Sequence, residues 1–162
     1  MEASGVTDIK LSSLIQEKYI ELDLKGDDKE TLLGELVSVI SKSGKVKSKK
    51  ACLDALMERE GMGSTAIGNG VAIPHAKIDG LKGPILVFGR SAHGVDFNSL
   101  DGETTHIFFM FLAPKEDVGV HLKTLAKISH LIKDKFTVGL FKKAKDKKEI
   151  LKVMVDTEKR IR

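Results

Sequence analysis

One segment of the sequence concentrates residue types that handle anions. It runs from Arg59 to Lys77 and reads REGMGSTAIGNGVAIPHAK. Besides its glycines it supplies a guanidinium, two hydroxyls at Ser64 and Thr65, and an imidazole at His75. Glycines allow the backbone to approach a ligand closely, and the amides of tight turns can hold an anion. The combination predicts a site that handles phosphate.

His75 follows a short apolar strand that is predicted at residues 71–73. Because Pro74 favours an extended conformation for Ile73, we expect His75 to emerge just past the carboxyl end of that strand. Ligands of open α/β sheets bind at this location. A lone histidine beside glycines is more often structural, but here Arg59 and two hydroxyls accompany it. The cluster therefore favours chemistry at His75.

The same segment resembles the phosphorylation-site signature of the fructose/mannitol-type enzyme IIA domains of the bacterial phosphotransferase system. The resemblance is carried by Ala72-Ile73-Pro74-His75, by Gly68-x-Gly70 before it, and by Arg59-Glu60 further upstream. It extends from Leu11 to about Asp156. The run R-E-x-M-G-S-T is most similar to the free-standing nitrogen-regulatory enzymes IIA.

The resemblance implies a histidine phosphocarrier, in which His75 accepts a phosphoryl group from the phosphohistidine of HPr or of its nitrogen-branch homologue. In the family the Nε2 nitrogen carries the group, and a sugar transporter passes it on to a cysteine of enzyme IIB. Arg59 matches the family's arginine, whose guanidinium fork suits phosphoryl oxygens. Ser64 and Thr65 are expected to bind the phosphate. Ala66 departs from the family, where glycine is expected in most members, but alanine is the smallest alternative.

A second family histidine is expected on the helix after a long apolar strand, where both His121 and His130 occur. His121 shares a stripe with Leu125 and Ile128 at spacings i, i+4 and i+7, whereas His130 is nine residues on, about 180° round the helix. His121 also lies in the first turn, where the helix dipole favours an anion, and its H-L-x-T-L context matches the family. We therefore predict that His121 donates a hydrogen bond to the phosphate and orients His75, and that His130 lies at the surface.

Periodicity and capping predict the elements that position these residues. Residues 19–24 alternate apolar and acidic side chains, as a short strand does. Helices are predicted from Asp27 or Asp28 to about Ser43 and from about Ser48 to Gly61, and Asn69-Gly70 predicts a tight hairpin. Two longer strands, residues 84–90 and 106–113, precede two helices, residues 118–133 and 146–157. This order predicts an α/β fold, a single three-layer domain over residues 1–162 with a core of about 11–156 and a mixed β-sheet flanked by helices.

Length and composition exclude several other classes of protein. A chain of 162 residues fits one domain. Its longest apolar run, residues 107–113, is far shorter than the roughly 20 residues of a membrane span. The first residues lack the basic and apolar regions of a signal peptide, and Cys52, the single cysteine, cannot form an internal disulfide. We expect a cytoplasmic protein without membrane insertion.

Other chemistries find little support in the sequence. There is no Walker A lysine loop for nucleotide phosphates, and Ser64 and His75 lack the strand–Ser–helix elbow of hydrolases. His93, His106 and Cys52 do not have the paired spacing of zinc ligands. We therefore predict neither a metal nor another cofactor.

The net charge of +4 is concentrated near the C-terminus, where residues 133–162 hold 11 Lys/Arg against 5 Asp/Glu. With few aromatic residues, this segment is more typical of a solvated helix face than of a nucleic-acid platform, and nucleic acid is not an expected partner. Three functions stay open: a phosphocarrier of a regulatory, nitrogen-type branch, a fructose/mannitol-specific IIA subunit that passes phosphate to a IIB cysteine, and a regulator that binds a target protein without passing the group on.

Overall fold

The computed structural model describes residues 9–161, in which six strands form one mixed sheet with helices on both faces. The strands are β1 (Ile20–Glu21), β2 (Ala66–Gly68), β3 (Val71–Ala72), β4 (His75–Ile78), β5 (Ile85–Val95) and β6 (Thr105–Pro114). The helices are α1 (Leu11–Leu14), α2 (Lys29–Ser41), α3 (Lys49–Gly61), α4 (Val118–Leu131), α5 (Lys135–Lys143) and α6 (Lys147–Arg160).

The sheet is built around β6, with the strand order β1-β5-β6-β3-β2. On one side β6 pairs antiparallel with β5, which in turn pairs in parallel with β1. On the other side both β3 and β4 pair in parallel with β6, so that Val71 aligns with Ile107 and His75 with Phe111. β3 and β4 are therefore consecutive pieces of one line of strand.

Helices cover the two faces of the sheet. Successive side chains of a strand point to opposite faces, so Phe108 and Phe109 of β6 belong to different layers. Phe109 packs edge-to-face on Phe141 of α5, with ring centroids 5.2 Å apart. On the other face Gly89, the partner of Phe108 across the sheet, lies against Leu36 of α2. The predicted three-layer α/β fold with a mixed sheet is confirmed.

Helix starts follow the predicted caps. The side chain of Asp28 accepts from the Thr31 amide at 2.8 Å, and Ser48 accepts from Ala51 at 3.1 Å. These contacts begin α2 and α3. The hairpin at Asn69 and Gly70 is also confirmed: both residues have positive φ, 59° and 78°, as a tight two-residue turn requires.

Two elements differ from the sequence-based expectation. β1 is reduced to two residues. Leu24 lies outside it, although its amide donates to the Arg90 carbonyl of β5 at 2.9 Å and its side chain lies against Gly89. Helix α5 was not predicted. The Arg90 guanidinium donates to the carbonyls of Phe141 and Ala144 at 3.0 and 2.8 Å, and so stabilises the end of α5. This contact spans more than fifty residues, and local patterns do not reveal it.

None of the helices between residues 9 and 161 is both long and apolar enough to cross a membrane.

Candidate functional site

His75 lies where β3 gives way to β4. The sequence predicted that His75 emerges just past the carboxyl end of the strand at residues 71–73, and His75 does follow the end of β3. It is also the first residue of β4, which was not predicted, and it pairs with Phe111. Pro74 interrupts the ladder without ending it. It has no N–H to donate, but its carbonyl accepts from the Phe111 amide at 2.8 Å.

A backbone contact determines which nitrogen of His75 carries the proton. Nδ1 of His75 lies 2.8 Å from the carbonyl oxygen of Ile73. A carbonyl can only accept a hydrogen bond, so Nδ1 holds the proton and Nε2 holds the free lone pair. The carbonyl that fixes the ring thus belongs to Ile73, in the interruption between β3 and β4.

The surroundings of His75 favour its neutral form. Burial lowers the pKa of the half-buried ring below its ordinary value, and the charge of Arg59 acts in the same direction. The hydrogen bond to Ile73 and the charge of Glu60 partly oppose these effects. Because the pKa is below 6.5, the ring is neutral at pH 7 and its Nε2 lone pair is available as a nucleophile.

A cavity of about 480 Å³ opens beside His75 at the edge of the sheet, between α3 and α4. We call it the edge cavity. Its polar lining residues are Glu58, Arg59, His75, Lys77 and His121, and its apolar ones are Ala55, Met62, Ala76, Leu122 and Leu125. The rings of the two histidines are 5.4 Å apart between centroids.

His121 lies in the first turn of α4 and is buried, only 6% exposed, against Phe111. Ile128 is buried on the same stripe, whereas His130 is exposed, so the predicted phase of this helix is confirmed. Burial lowers the pKa of His121 to about 4, and the nearby His75 and Lys77 add to the effect. His121 is therefore neutral at pH 7 and can donate from only one nitrogen.

The proton of His121 is best placed on Nε2. Nδ1 is buried and has no hydrogen-bond partner among the residues that the structure describes. In folded proteins a buried N–H without an acceptor is rarer than a buried acceptor without a donor. Nδ1 of His121 is therefore assigned the lone pair, and Nε2 the proton. Nε2–H remains as the donor that the ring can offer to the edge cavity.

Arg59 lies in the last turn of α3 and is half-buried. Its guanidinium donates to the Gly63 carbonyl at 2.9 Å. This bond uses one N–H, and a guanidinium has five, so other donors remain for an anion. The structure thus brings Arg59, His75 and His121 together around one cavity.

Ser64 and Thr65 do not line the edge cavity. The hydroxyl of Ser64 donates to the Phe97 carbonyl and accepts from the Ala66 amide at 3.0 Å. The hydroxyl of Thr65 donates to Glu60. Both hydroxyls stabilise the glycine-rich loop, and their phosphate binding stays a prediction.

Glu60 has a structural role that the sequence analysis missed. Its carboxylate is buried and accepts from the Thr65 amide at 3.2 Å and from the Lys29 ammonium at 3.0 Å. Lys29 in turn lies over the ring of Phe97, 4.8 Å from its centroid. Glu60 therefore joins the end of α3 to α2 and to the loop before β2. The one feature of the sequence that pointed to Glu60 is its position next to Arg59 in the motif.

Several residues that line the edge cavity were not singled out from the sequence, among them Lys77, Met62 and Leu122. Lys77 lies two residues after His75 on β4, and the period of a strand places both on one face. Met62 and Leu122 are apolar and largely exposed, at 76% and 62%. The cavity therefore combines positive charge with an apolar rim.

The remaining histidines and the cysteine lie elsewhere. His93 Nε2 is 3.1 Å from an Asp27 carboxylate oxygen, and His106 Nδ1 is 2.9 Å from the Ser91 carbonyl. Cys52 is fully buried, and burial raises the pKa of its thiol to about 11. Within residues 9–161 no three metal-ligating side chains come together.

The sequence matches the family described as "Phosphoenolpyruvate-dependent sugar phosphotransferase system, EIIA 2" over residues 13–156. It is 39% identical over 124 residues to the fructose-specific EIIABC component of Bacillus subtilis, a match that covers 76% of this chain and 20% of that protein. It is 32% identical over 145 residues to a nitrogen regulatory protein of Bradyrhizobium diazoefficiens, a match that covers 89% of this chain and 94% of that protein.

The fold is also similar to that of solved structures. The nitrogen regulatory protein IIA-Ntr of Neisseria meningitidis has a TM-score of 0.84 and 26% identity, covering 89% of this chain and 98% of that one. The mannitol IIA structure of Escherichia coli has a TM-score of 0.73 over 86% of this chain and 97% of that one, and its 19% identity supports the likeness of fold alone.

Proposed function

Because the chain belongs to the EIIA 2 family of the phosphoenolpyruvate-dependent sugar phosphotransferase system, as the sequence motif indicated, we propose that it is a histidine phosphocarrier with Nε2 of His75 as the acceptor atom. The observation that carries the proposal is the 2.8 Å hydrogen bond between His75 Nδ1 and the Ile73 carbonyl. It leaves the lone pair on Nε2, in a ring that lines the edge cavity together with Arg59 and His121.

The transfer requires no proton to leave His75. The lone pair of Nε2 attacks phosphorus in line, the P–N bond of the donor's phosphohistidine breaks, and its electron pair stays on the donor's ring nitrogen. Nδ1 keeps its proton throughout. The Ile73 carbonyl, which accepts that proton's hydrogen bond, stabilises the positive charge that the ring gains.

Arg59 and His121 act on the phosphoryl oxygens. The guanidinium of Arg59 supplies a fixed positive charge, and His121 supplies one N–H from Nε2. Hydrogen-bond donors and positive charges lower the activation barrier when they are directed at the negative charge that develops in the transition state. Lys77, whose charge already affects the pKa of His121, adds a second cation. For Ser64 and Thr65 we propose an indirect role, since their hydroxyls stabilise the loop between Arg59 and His75.

We propose an HPr-type protein as the phosphodonor, docking on the apolar rim of the edge cavity. Met62 and Leu122 are both exposed and line the same cavity, and exposed apolar side chains that adjoin in a patch mark contact surfaces between proteins. A partner that covers this rim would also exclude water from the phosphoramidate.

The proposal is tested by intact mass after incubation with phosphoenolpyruvate, enzyme I and HPr, with a nitrogen-branch pair in parallel. We expect the wild-type protein and His130→Ala to gain one phosphoryl group, and His75→Ala to gain none. Phosphorylation of His75→Ala to the wild-type level would refute the assignment.

Two observations favour different uses of the phosphoryl group. The match to a nitrogen regulatory protein covers 94% of that relative and favours the regulatory branch. The match to the fructose-specific EIIA component of Haloferax volcanii covers 79% of that relative and has a higher sequence identity, 38% against 32%. It favours delivery of the phosphoryl group to a IIB cysteine. Of the two, we propose the regulatory branch. Faster phosphorylation by the nitrogen-branch pair would support it, whereas rapid discharge to an added fructose IIB protein would identify a sugar-uptake subunit.

A further inference from the structure

A second cavity, of about 550 Å³, lies between the loop that joins α2 to α3 and the loop that joins β4 to β5. We call it the lysine cavity and define it by Lys45, Lys47, Gly80, Leu81, Lys82 and Pro84. Two of its lysines come from the first loop and one from the second. None of its lining residues in the described part of the chain is acidic.

The positive charge around the lysine cavity is poorly compensated. Residues 42–50 contain five lysines and no acidic residue. Lys50 pairs with Asp54 at 2.8 Å, but within residues 9–161 Lys45, Lys47 and Lys82 form no ion pair. The three lysines line one cavity and charges of one sign repel each other, so a bound anion would offset their charge.

Contacts locate the ammonium groups of two of the three lysines that line the cavity. The ammonium of Lys45 lies over the ring of Tyr19, 5.5 Å from the centroid. That of Lys47 reaches the opposite loop, where it lies 3.8 Å from the position that a Cβ would take on Gly80. Gly80 has a φ of +81° and carries no side chain, so a ligand can approach the backbone there.

We propose that the lysine cavity binds a small anion with two or more phosphate groups, of the class of a diphosphate or a nucleoside diphosphate. Three ammonium groups match the charge of such an anion, and the volume lies within the range of small-molecule sites. Buried Leu81 and half-buried Pro84 give the cavity an apolar wall beside its charges. A nucleobase or another ring would contact that wall.

This site goes beyond the proposed phosphocarrier function and is separate from the edge cavity. Helix α3 begins next to the lysine cavity at Lys49 and carries Arg59 near its other end. Ten residues of helix separate them by about 15 Å. An anion in the lysine cavity therefore does not contact His75.

The test is isothermal titration calorimetry of the wild-type protein with inorganic diphosphate and, separately, with ADP at near-physiological salt concentration. The variant Lys45→Gln/Lys47→Gln/Lys82→Gln removes the three charges of the cavity. The matched control, Lys143→Gln/Lys147→Gln/Lys148→Gln, removes three lysines that are exposed, as the cavity lysines are, but lie elsewhere. We expect one saturable site in the wild type, at least tenfold weaker binding in the cavity variant, and less than twofold change in the control.

The two probes distinguish the source of the phosphate. Tighter binding of ADP would identify a nucleotide that uses the apolar wall, and equal binding would identify the diphosphate group alone. If the triple variant is unstable, two other measurements replace it. The amide NMR signals of Gly44 and Gly80 should shift on titration of the wild type, and the single variant Lys82→Gln should bind more weakly. Absence of saturable binding, an equal loss in the lysine control, or loss of binding in Arg59→Ala would each overturn the proposal.

Discussion

At the scale of single residues, the site depends on where each histidine holds its proton. His75 donates from Nδ1 to a backbone carbonyl at 2.8 Å and offers a lone pair at Nε2. His121 has no partner for Nδ1 within the described chain and offers Nε2–H. The two rings are 5.4 Å apart, and they are complementary as nucleophile and hydrogen-bond donor. Arg59 adds the permanent charge that neither neutral ring supplies.

Replacing Arg59 by alanine is expected to slow phosphoryl transfer by about 10²-fold or more, because a charge that stabilises the transferring oxygens is lost. The fold loses one exposed hydrogen bond, to Gly63, so the free energy of unfolding should fall by no more than about 1 kcal/mol. Rapid-quench transfer rates and urea unfolding measure the two effects. A large loss of stability with unchanged transfer per folded molecule would mean that Arg59 serves the fold instead.

The low pKa of His121 predicts a dependence of stability on pH. In the folded protein this pKa is about 4, against 6.5 for an ordinary histidine, so between these values the unfolded chain binds a proton that the folded chain does not. The contribution to stability is complete above pH 6.5 and is lost as pH falls towards 4. His75, whose pKa is also lowered, acts in the same direction.

Urea unfolding at about pH 7 and about pH 5 checks this expectation. The free energy of unfolding of the wild type should fall between the two conditions, and the fall should be smaller in His121→Gln. His130→Gln, with an exposed ring, should behave as the wild type does. An identical fall in all three proteins would show that His121 titrates normally.

At the scale of elements, the interruption between β3 and β4 and the end of α3 position the residues of the site. Ile73 and Pro74 divide one line of strand into β3 and β4, which turns a carbonyl towards His75. The end of α3 is joined to the following loop through Glu60, so that Arg59 is held beside the same strand. Helix α4 then closes the cavity with the face that carries His121.

Replacing Glu60 by alanine is expected to lower the free energy of unfolding by about 3 kcal/mol or more, because it leaves the largely buried ammonium of Lys29 and the buried Thr65 amide without their acceptor. Glu58, exposed and two residues earlier on α3, is the matched control. Glu58→Ala should change stability by less than about 0.5 kcal/mol. Equal losses in the two variants would contradict the role of Glu60.

The phase of α4 predicts opposite outcomes for its two histidines. His121→Ala should slow phosphoryl transfer and shorten the lifetime of the phosphohistidine, because a donor to the phosphoryl oxygens is removed. His130→Ala removes an exposed side chain and should change neither property, with a stability change within about 0.5 kcal/mol. Rapid-quench rates for both variants decide the matter, and equal rates would remove His121 from the site.

Local patterns predicted what depends on local interactions. The caps at Asp28 and Ser48, the hairpin at Asn69 and the stripe that contains His121 are encoded within a few residues, and each is confirmed. The sequence did not predict β4 at His75, because its pairing depends on β6 more than thirty residues away. Helix α5 depends in the same way on distant Arg90.

The same limit applies to the site. Its central residues could be predicted because Arg59, His75 and the helix of His121 lie in recognisable motifs. The hydroxyls of Ser64 and Thr65 belong to the same motif, but their hydrogen-bond partners, Phe97 and Glu60, are fixed only by the folded chain. Residue types within the motif therefore did not show that these two hydroxyls lie outside the lining of the cavity.

At the scale of the whole molecule, the sheet edge formed by β4 is where α3 and α4 meet from the two faces of the sheet. The edge cavity is open to a partner there, and its rim carries exposed Met62 and Leu122. The fold is shared with nitrogen-regulatory IIA of Neisseria meningitidis at a TM-score of 0.84. A scaffold that presents one histidine at an open edge suits the phosphocarrier function that we propose.

The central claim, that Nε2 of His75 carries the phosphoryl group, is tested most directly by nuclear magnetic resonance of the phosphorylated protein labelled with ¹⁵N in its histidines. Coupling between phosphorus and nitrogen identifies both the residue and the ring atom. The predicted result is coupling to Nε2 of His75, with the Nδ1 proton of the same ring retained. Coupling to Nδ1 of His75, or to either nitrogen of His121, would contradict the account.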